Sequence, residues 1–323
     1  MMTRNSFNWI GIACVLAVAS LPLWPFSDSY IVAAVIRTLI FIALGQAWNV
    51  IAGIGGQLSL GHGVFFGLGA YATAILFNLW GVPPWIGVWA GMLAAALVAG
   101  AIGAITFRLR GVYFALATVV ISLAFEKLAR FFVELTGGDA GFSLQFLGDS
   151  WWGLQSREPT PFLWPALALV VGYYLLTRWL LRSRFGLELQ AVRDDEDAAT
   201  AAGVAVFRTK LLGLLLSAVM TALVGTLHVQ FYLTIDPANA FGLFQAVQIQ
   251  LPSLIGGLGS AIGPVLGGAV MIAANEATNW ASSRFDIPGL DVLAYGGLLL
   301  FIVLRAPEGL SGPLAAMFRR RTR

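Results

Sequence analysis

Long apolar runs, separated by short polar punctuation, set the pattern of this chain. Runs near 9–26, 31–52, 61–80, 85–107, 112–133, 162–181, 210–233, 243–258, 262–281 and 289–304 approach the length of about 20 residues that a helix needs to cross a hydrocarbon core of about 30 Å. The pattern predicts an all-α polytopic membrane protein with about ten spans. The Gly-rich runs are open to shorter, broken or re-entrant forms. Trp9, Trp24, Trp80, Trp85 and Trp280 fall at proposed span ends, where an amphipathic ring prefers the membrane interface.

Composition agrees with the pattern. Of 323 residues, 59% are hydrophobic and 11% charged, against about 25% charged in a soluble domain. So few charges cannot cover a soluble surface of this size. A single Cys14 excludes an internal disulfide framework and any CxxC site. His62 and His228 are the two histidines, and they form no HExxH or other zinc motif. No GK[ST] follows a glycine loop, so the chain carries no phosphate-gripping P-loop. We therefore expect a non-enzyme with no catalytic residues, no metal and no cofactor of its own, with membrane lipid and not nucleic acid as a partner.

Charge gives orientation. With a cytoplasmic N-terminus, inside segments hold 14 of the 19 basic residues, among them Arg108, Arg110, Arg182, Arg193, Lys210 and Arg305. Outside loops hold only Arg157 and Arg284, while Arg37, Lys127 and Arg130 lie within or near spans. The positive-inside rule then places both termini in the cytoplasm. Ala17-Val18-Ala19 offers the alternative of a cleaved signal peptide. The whole chain, 1–323, is expected to form one transmembrane domain with an outer loop at 134–161, an inside loop at 182–209 and a short basic tail.

Arg193, Asp194, Asp195, Glu196 and Asp197 are five consecutive charges in the inside loop. Each would cost about 2.5–3.5 kcal/mol at a bilayer centre, so the segment must sit in water or against a soluble partner. Asp194 is a predicted N-cap, Ala198, Ala199, Ala201 and Ala202 favour helix, and Gly203 is a predicted stop. A two-turn helix with an acidic start and a small-residue face follows. By these features alone it is either a contact surface or a plain linker.

Two Gly-rich stretches qualify as pathway elements. Gly53 to Gly63 sets Gln57, Ser59 and His62 among glycines between two apolar spans. Unwound backbone at membrane depth is tolerated where it lines a cavity or protein, and half-helix ends there can bind a zwitterion. Helix packing by small residues is the plainer reading of the glycines; Gln57, Ser59, Gly61 and His62 are candidates for pathway lining or a gate. Ile54-Gly55-Gly56-x-x-Ser59 is echoed by Ile255-Gly256-Gly257-x-x-Ser260, on the same membrane side, with Pro252 and Pro264 expected to break or kink the flanking helices. Glu126 and Arg130 are spaced i, i+4 as an ion pair toward the outer leaflet. That spacing suits a structural pair or a pathway element. Asn275 and Glu276 are weaker candidates.

Five stretches and a closing RAPEGL at 305–310 carry a resemblance. The stretches are GQLSLGHGVFFGLGAY (56–71), RLRGVYFALATVVISLAFEKLAR (108–130), LTGGDAGFS (135–143), the run from Gly186 to Ala218, and LIGGLGSAIGPVLGG (254–268). In this order, from about 45 to 310, the chain resembles the LivM-type permeases of branched-chain amino-acid ABC transporters. The resemblance implies an importer subunit in the bacterial cytoplasmic (inner) membrane, paired with a second permease. Two cytoplasmic ATP-binding subunits, carrying ATP and Mg, would drive it, and a periplasmic binding protein would deliver substrate. The inside loop would be the coupling helix, with Arg193, Asp194, Asp195, Glu196, Asp197 and Gly203 at the ATPase contact. The matching family stretch also carries a Glu and an Arg at Glu126 and Arg130, which keeps a pathway or outer-gate role open. His228 departs from the family pattern and is expected as a satisfied helix–helix histidine, with substrate contact as the lesser alternative. Relatives in this family also carry urea, short amides or aromatic acids. A secondary transporter driven by an ion gradient is the rival reading, with Glu126 and Glu276 as its coupling acids.

Overall fold

The fold is taken from a computed structural model, which describes residues 18–20, 28–285, 293, 296 and 297. Helix α1 spans Ser29–Asn49 and continues through a π-helical turn, Val50–Ile54. Then follow α2 (His62–Trp80), α3 (Pro84–Thr106) and α4 (Val112–Phe131). A short α5 (Val133–Thr136) opens a loop containing β1 (Phe142–Ser143). Helices α6 (Thr160–Leu180), α7 (Arg184–Asp194), α8 (Glu196–Ala201) and α9 (Val206–Tyr232) come next. After β2 (Thr234–Ile235) the chain forms α10 (Pro237–Phe241), α11 (Leu243–Gly256) and α12 (Gly263–Phe285).

Six of these helical segments are long and apolar enough to cross a membrane: Ser29–Ile54, His62–Trp80, Pro84–Thr106, Val112–Phe131, Thr160–Leu180 and Val206–Tyr232. They match six predicted runs, and the chain is a mostly helical, polytopic membrane protein. The runs at 243–258 and 262–281 are α11 and α12, an α-hairpin packed against α1. At 14 residues, α11 is too short to cross alone, since it rises only about 1.5 Å per residue. The first and last predicted runs fall almost wholly outside the described residues, as do Trp9, Trp24, RAPEGL and the basic tail.

Small residues decide the packing. α9 is the central helix, set against α1, α2 and α3. Along α3, Gly87, Gly91, Ala95, Ala99 and Gly103 recur every fourth position and are buried, while Trp89, Leu93, Leu97 and Ile105 form the exposed stripe. Lipid is as apolar as leucine, so close backbone approach rather than hydrophobicity holds such helices together. A Cβ on Gly69 of α2 would stand 2.0 Å from the Ala222 carbonyl oxygen of α9, and one on Gly225 would stand 2.2 Å from that of Phe66. Any larger residue would force α2 and α9 apart.

The segment from Pro237 to Gly256 is a broken helix. Asp236 caps α10 by accepting from the Asn239 N–H at 2.9 Å. The backbone then turns extended at Gly242 and resumes as α11. The Phe241 carbonyl at the break accepts from Ser122 Oγ at 2.7 Å, in the middle of α4. A freed backbone group inside the membrane is thus satisfied by a neighbouring helix, as hydrocarbon requires. The prolines expected to break or kink the flanking helices do not break them. Pro252 lies inside a continuous α11, and Pro264 sits in the first turn of α12, where a missing N–H costs no helical bond. The actual break is at Gly242.

One end of the bundle gathers the basic residues that close α3 and α6, open α4 and α9, and lie on α7, with the acidic start of α8 beside them. The opposite end carries the 132–159 loop, pinned where β1 pairs antiparallel with β2 (Phe142 with Ile235, Ser143 with Thr234) and where Asn78 Nδ2 donates to the Ser143 carbonyl at 2.7 Å.

Candidate functional site

At the basic end, α7 and α8 form a platform beneath the membrane helices. Ser183 caps α7 by accepting from the Gly186 N–H at 3.1 Å. Gly186, Leu189 and Val192 face inward. Asp195, not Asp194, caps α8: its Oδ1 accepts from the N–H groups of Asp197 and Ala198, each at 2.9 Å. Asp194 is the last residue of α7, because the chain needs the extended backbone of Asp195 to turn between the two helices. Gly203, with φ +85°, ends α8 in the left-handed conformation; its N–H reaches the Thr200 carbonyl, and the Val204 N–H reaches that of Ala199. This double bond closes the helix as expected. Ala198, Ala201, Ala202 and Gly203 are exposed, so the small-residue face is present and uncovered.

The five charges divide by direction. Asp194 and Asp197 point outward, their side chains 68% and 79% exposed. Glu196 points inward, and Arg193 spans the two sides, holding Asp194 at 2.9 and 3.0 Å while its Nη1 reaches inward. Glu196 pairs with Lys210 of α9, accepts from Gln57 Nε2 at 3.3 Å and lies 3.6 Å from Arg110 Nε. Arg110 also holds Asp197 through two bonds of 3.0 and 3.3 Å. That contact keeps the Asp197 carboxyl below the usual carboxylate range and raises the guanidinium.

Arg193 reaches the two Gly-rich turns at once. Its Nη1 donates to the Gly53 carbonyl at 3.3 Å. Gly56, with φ +69°, lies flat under its stem: a Cβ there would be 2.4 Å from Arg193 Cγ. A Cβ on Gly259, in the second turn, would be 3.2 Å from Nη1. Asn49 ties the turns together, donating to the Ser260 carbonyl at 2.9 Å and accepting from the Gly259 N–H at 2.9 Å. The two echoed stretches therefore touch, on the same side of the bundle. The π-helical end of α1 forms the first turn, an irregularity often found at functional sites.

Gln57, Ser59 and His62 are all buried, at 7%, 1% and 1% exposure. Ser217 Oγ gives its proton to the Ala47 carbonyl at 2.7 Å. It must therefore accept from His62 Nε2, 2.8 Å away. That leaves Nδ1 to accept from Ser59 Oγ at 3.1 Å. Both ring nitrogens are thus engaged in a chain that joins the first Gly-rich turn to α9 and α1. Gly61 has no room for a side chain, since a Cβ would be 2.9 Å from the Thr118 carbonyl. In this conformation Ser59, Gly61 and His62 are enclosed between helices.

At the opposite end Arg130 binds Glu126 at 2.7 Å and Asp139 at 2.5 Å. The pair expected from the i, i+4 spacing is present, and the Gly137–Asp139 turn adds a second carboxylate. Between α1, the end of α9, α10, α11 and α12 lies a cavity of about 330 Å³. Arg37, Asp236, Gln245 and Asn275 are among its polar lining. Glu276 stands beside it, accepting from the Tyr30 hydroxyl at 2.5 Å and lying 3.9 Å from Arg37. His228 also lines this cavity, its ring 4.4 Å from that of Tyr232 and tilted 36° to it, and its Nδ1 has no hydrogen-bond partner among the described residues. The expectation of a satisfied helix–helix histidine is therefore corrected: the ring contacts are there, the hydrogen bond is not.

Sequence reasoning passed over Asn49, Lys210, Arg37 and Ser217 as site residues. A polar amide at the end of an apolar run and a cation inside one were available signals. The serine gave none.

Comparison with known proteins then identifies the setting. The family described as branched-chain amino acid transport system / permease component matches residues 30–305. The high-affinity branched-chain amino acid transport system permease protein LivM of Escherichia coli (strain K12) is 29% identical over 92% of this chain and 72% of its own length. LivH of Salmonella typhimurium, a permease protein of the same description, is 24% identical over 85% of this chain and 91% of its own length. A probable LivM of Methanocaldococcus jannaschii is 25% identical over 82% of this chain and 84% of its own length. No solved structure matches the chain. With apolar spans, a broken helix and a family match over most of its length, this chain belongs to the branched-chain amino acid transport permeases and is a permease subunit of an importer.

Proposed function

We propose that this permease carries branched-chain or related hydrophobic amino acids into the cell at the expense of ATP hydrolysed on separate subunits. The observation that supports this best is Arg193, which joins the α7–α8 platform to both Gly-rich turns. On this reading a displacement of the platform is felt at both turns. The uncovered face of Asp194, Asp197, Ala198, Ala202 and Gly203 suits close approach by a cytoplasmic ATP-binding subunit. Force on that face passes through Arg193 to Gly53 and Gly259, and through Glu196 to Gln57 and Lys210. Helices α1, α9, α11 and α12 would then rearrange around the pathway. On this reading the basic end is cytoplasmic, both termini are inside, and the membrane is the bacterial inner membrane.

The partners follow from the same reading: a second, related permease, two ATP-binding subunits holding ATP and Mg, and a periplasmic binding protein that docks at the 132–159 loop. Glu126 and Glu276 are engaged by Arg130 and by Tyr30 with Arg37, which suits structural or gating roles better than proton coupling.

Affinity purification in mild detergent, followed by mass spectrometry, tests the assembly. The intact chain should bring down ATP-binding subunits and a second permease. Ala198→Trp with Ala202→Trp, on the exposed face, should lose the ATP-binding subunits while keeping the second permease. Recovery of two copies of this chain with no other permease would contradict the pairing. Recovery of no ATP-binding subunit from folded protein would contradict the importer mechanism.

A further inference from the structure

We propose that the cavity at the α10–α11 break is the substrate's own binding site in the membrane, with Arg37 receiving the carboxylate and Asp236 the ammonium of an aliphatic amino acid. The inference rests on the amino-acid import reading above.

Four observations converge. First, the cavity holds about 330 Å³, at the small end of the range of about 300–1,000 Å³ for small-molecule sites. Second, it carries opposite charges on two different elements. Arg37 comes from α1 and Asp236 from the cap of α10. The ion-pair partner of Arg37 among the described residues is Glu276, at 3.9 Å, too long for a hydrogen bond, and its guanidinium also lies 5.8 Å from the centre of the Tyr30 ring; a carboxylate offering bidentate bonds to the planar fork would displace these looser contacts. The oxygens of Asp236 accept from Asn239 at 2.9 and 2.6 Å, and a carboxylate has about four lone-pair sites, so acceptor capacity remains.

Third, the site has buried polar atoms without partners. Gln245 is 6% exposed and its Nε2 finds no acceptor among the described residues; His228 Nδ1 is in the same state. Such atoms cost stability unless something completes them. A carboxylate would complete the amide, and an ammonium group would complete the ring nitrogen. Fourth, Phe41 and Ile272 add apolar lining to the cavity, which suits an aliphatic side chain. The cavity also lies against a broken helix, the element around which transporters assemble their sites.

The test uses the whole transporter, purified with its partner permease and ATP-binding subunits in lipid nanodiscs, with no binding protein present. The probes are radiolabelled leucine, leucinamide (no carboxylate) and 4-methylpentanoate (no ammonium). Intact protein should bind leucine saturably and at least tenfold more tightly than either analogue. Arg37→Gln should weaken leucine at least tenfold and abolish the preference over leucinamide, with Arg37→Lys recovering part of it. Asp236→Asn, which preserves the helix cap, should abolish the preference over 4-methylpentanoate. Each variant addresses one end of the ligand, so either alone decides should the other fail to assemble. Unchanged preferences in an assembled variant would overturn the proposal. So would an absence of leucine binding to a transporter that still performs ATP-driven leucine uptake with its binding protein. A complete wild-type system that imports no amino acid would overturn the import reading itself, and the site with it.

Discussion

Gly56 and Arg193 are a matched pair of residues, one without a side chain so that the other can lie across it. The left-handed φ of Gly56 costs an L-residue about 1–2 kcal/mol, and its missing Cβ leaves room for the Arg193 stem. Gly56→Ala should therefore lower thermal stability modestly and reduce uptake per ATP hydrolysed several-fold, measured together in proteoliposomes. Lys210, 1% exposed, presents a different case. Removing one member of a buried pair leaves an uncompensated charge and costs about 3–5 kcal/mol, whereas replacing both is often neutral. Glu196→Leu should sharply lower the melting temperature in detergent, since it strands the buried Lys210, and Lys210→Met with Glu196→Leu should recover most of it. The Arg110–Asp197 pair gives a pH sign. The folded carboxyl titrates below its ordinary value of 3.8, so the contact's contribution is complete above that value and lost as pH falls through the folded one. Asp197→Asn and intact protein should then share the same pH profile of stability around neutrality and diverge only in acid.

Among the elements, the contact of α2 with α9 is the most demanding. Gly69 and Gly225 each face a backbone carbonyl of the other helix, so neither neighbour can move aside without its helix. Gly69→Leu should destabilise the fold by about 1–3 kcal/mol or more through overpacking, read as lost monodisperse protein on size exclusion. Leu97→Ala, on the exposed stripe of α3, should leave that readout unchanged. The α7–α8 platform was largely legible from sequence, since five charges cannot enter a bilayer and Gly203 is a strong stop. The cap fell one residue later than expected, because Asp194 and Asp195 are equally good capping types and only the chain's turn distinguishes them. What could not be read was direction. Within Arg193–Asp197 every residue is charged, and periodicity over five charges does not say that Arg193 and Glu196 reach inward. The α10–α11 break was likewise hidden: Gly242 is one glycine among 37, and the Ser122 hydroxyl that satisfies the break lies 119 positions away.

For the whole molecule, hydropathy revealed six spans closely and placed the two echoed turns on one side, because both follow from the length of apolar runs. The cavity was not legible, since it sets α1 against a stretch about 190 residues later in the chain, from His228 to Asn275, and Arg37 looks like an isolated charge in a span. The architecture now links an exposed small-residue face, a pair of Gly-rich turns and a cavity near the opposite end. Its central claim is that Arg193 transmits work from ATP-binding subunits to the pathway. The most direct test reconstitutes the complete transporter in proteoliposomes and measures ATP hydrolysis and leucine uptake on the same sample, for intact protein and for Arg193→Ala. Intact protein should take up leucine only with ATP and regardless of ion gradients, and the variant should keep its ATP-binding subunits and hydrolyse ATP while uptake falls at least tenfold. Uptake by Arg193→Ala at the intact rate, or uptake by intact protein driven by an ion gradient without ATP, would contradict the account.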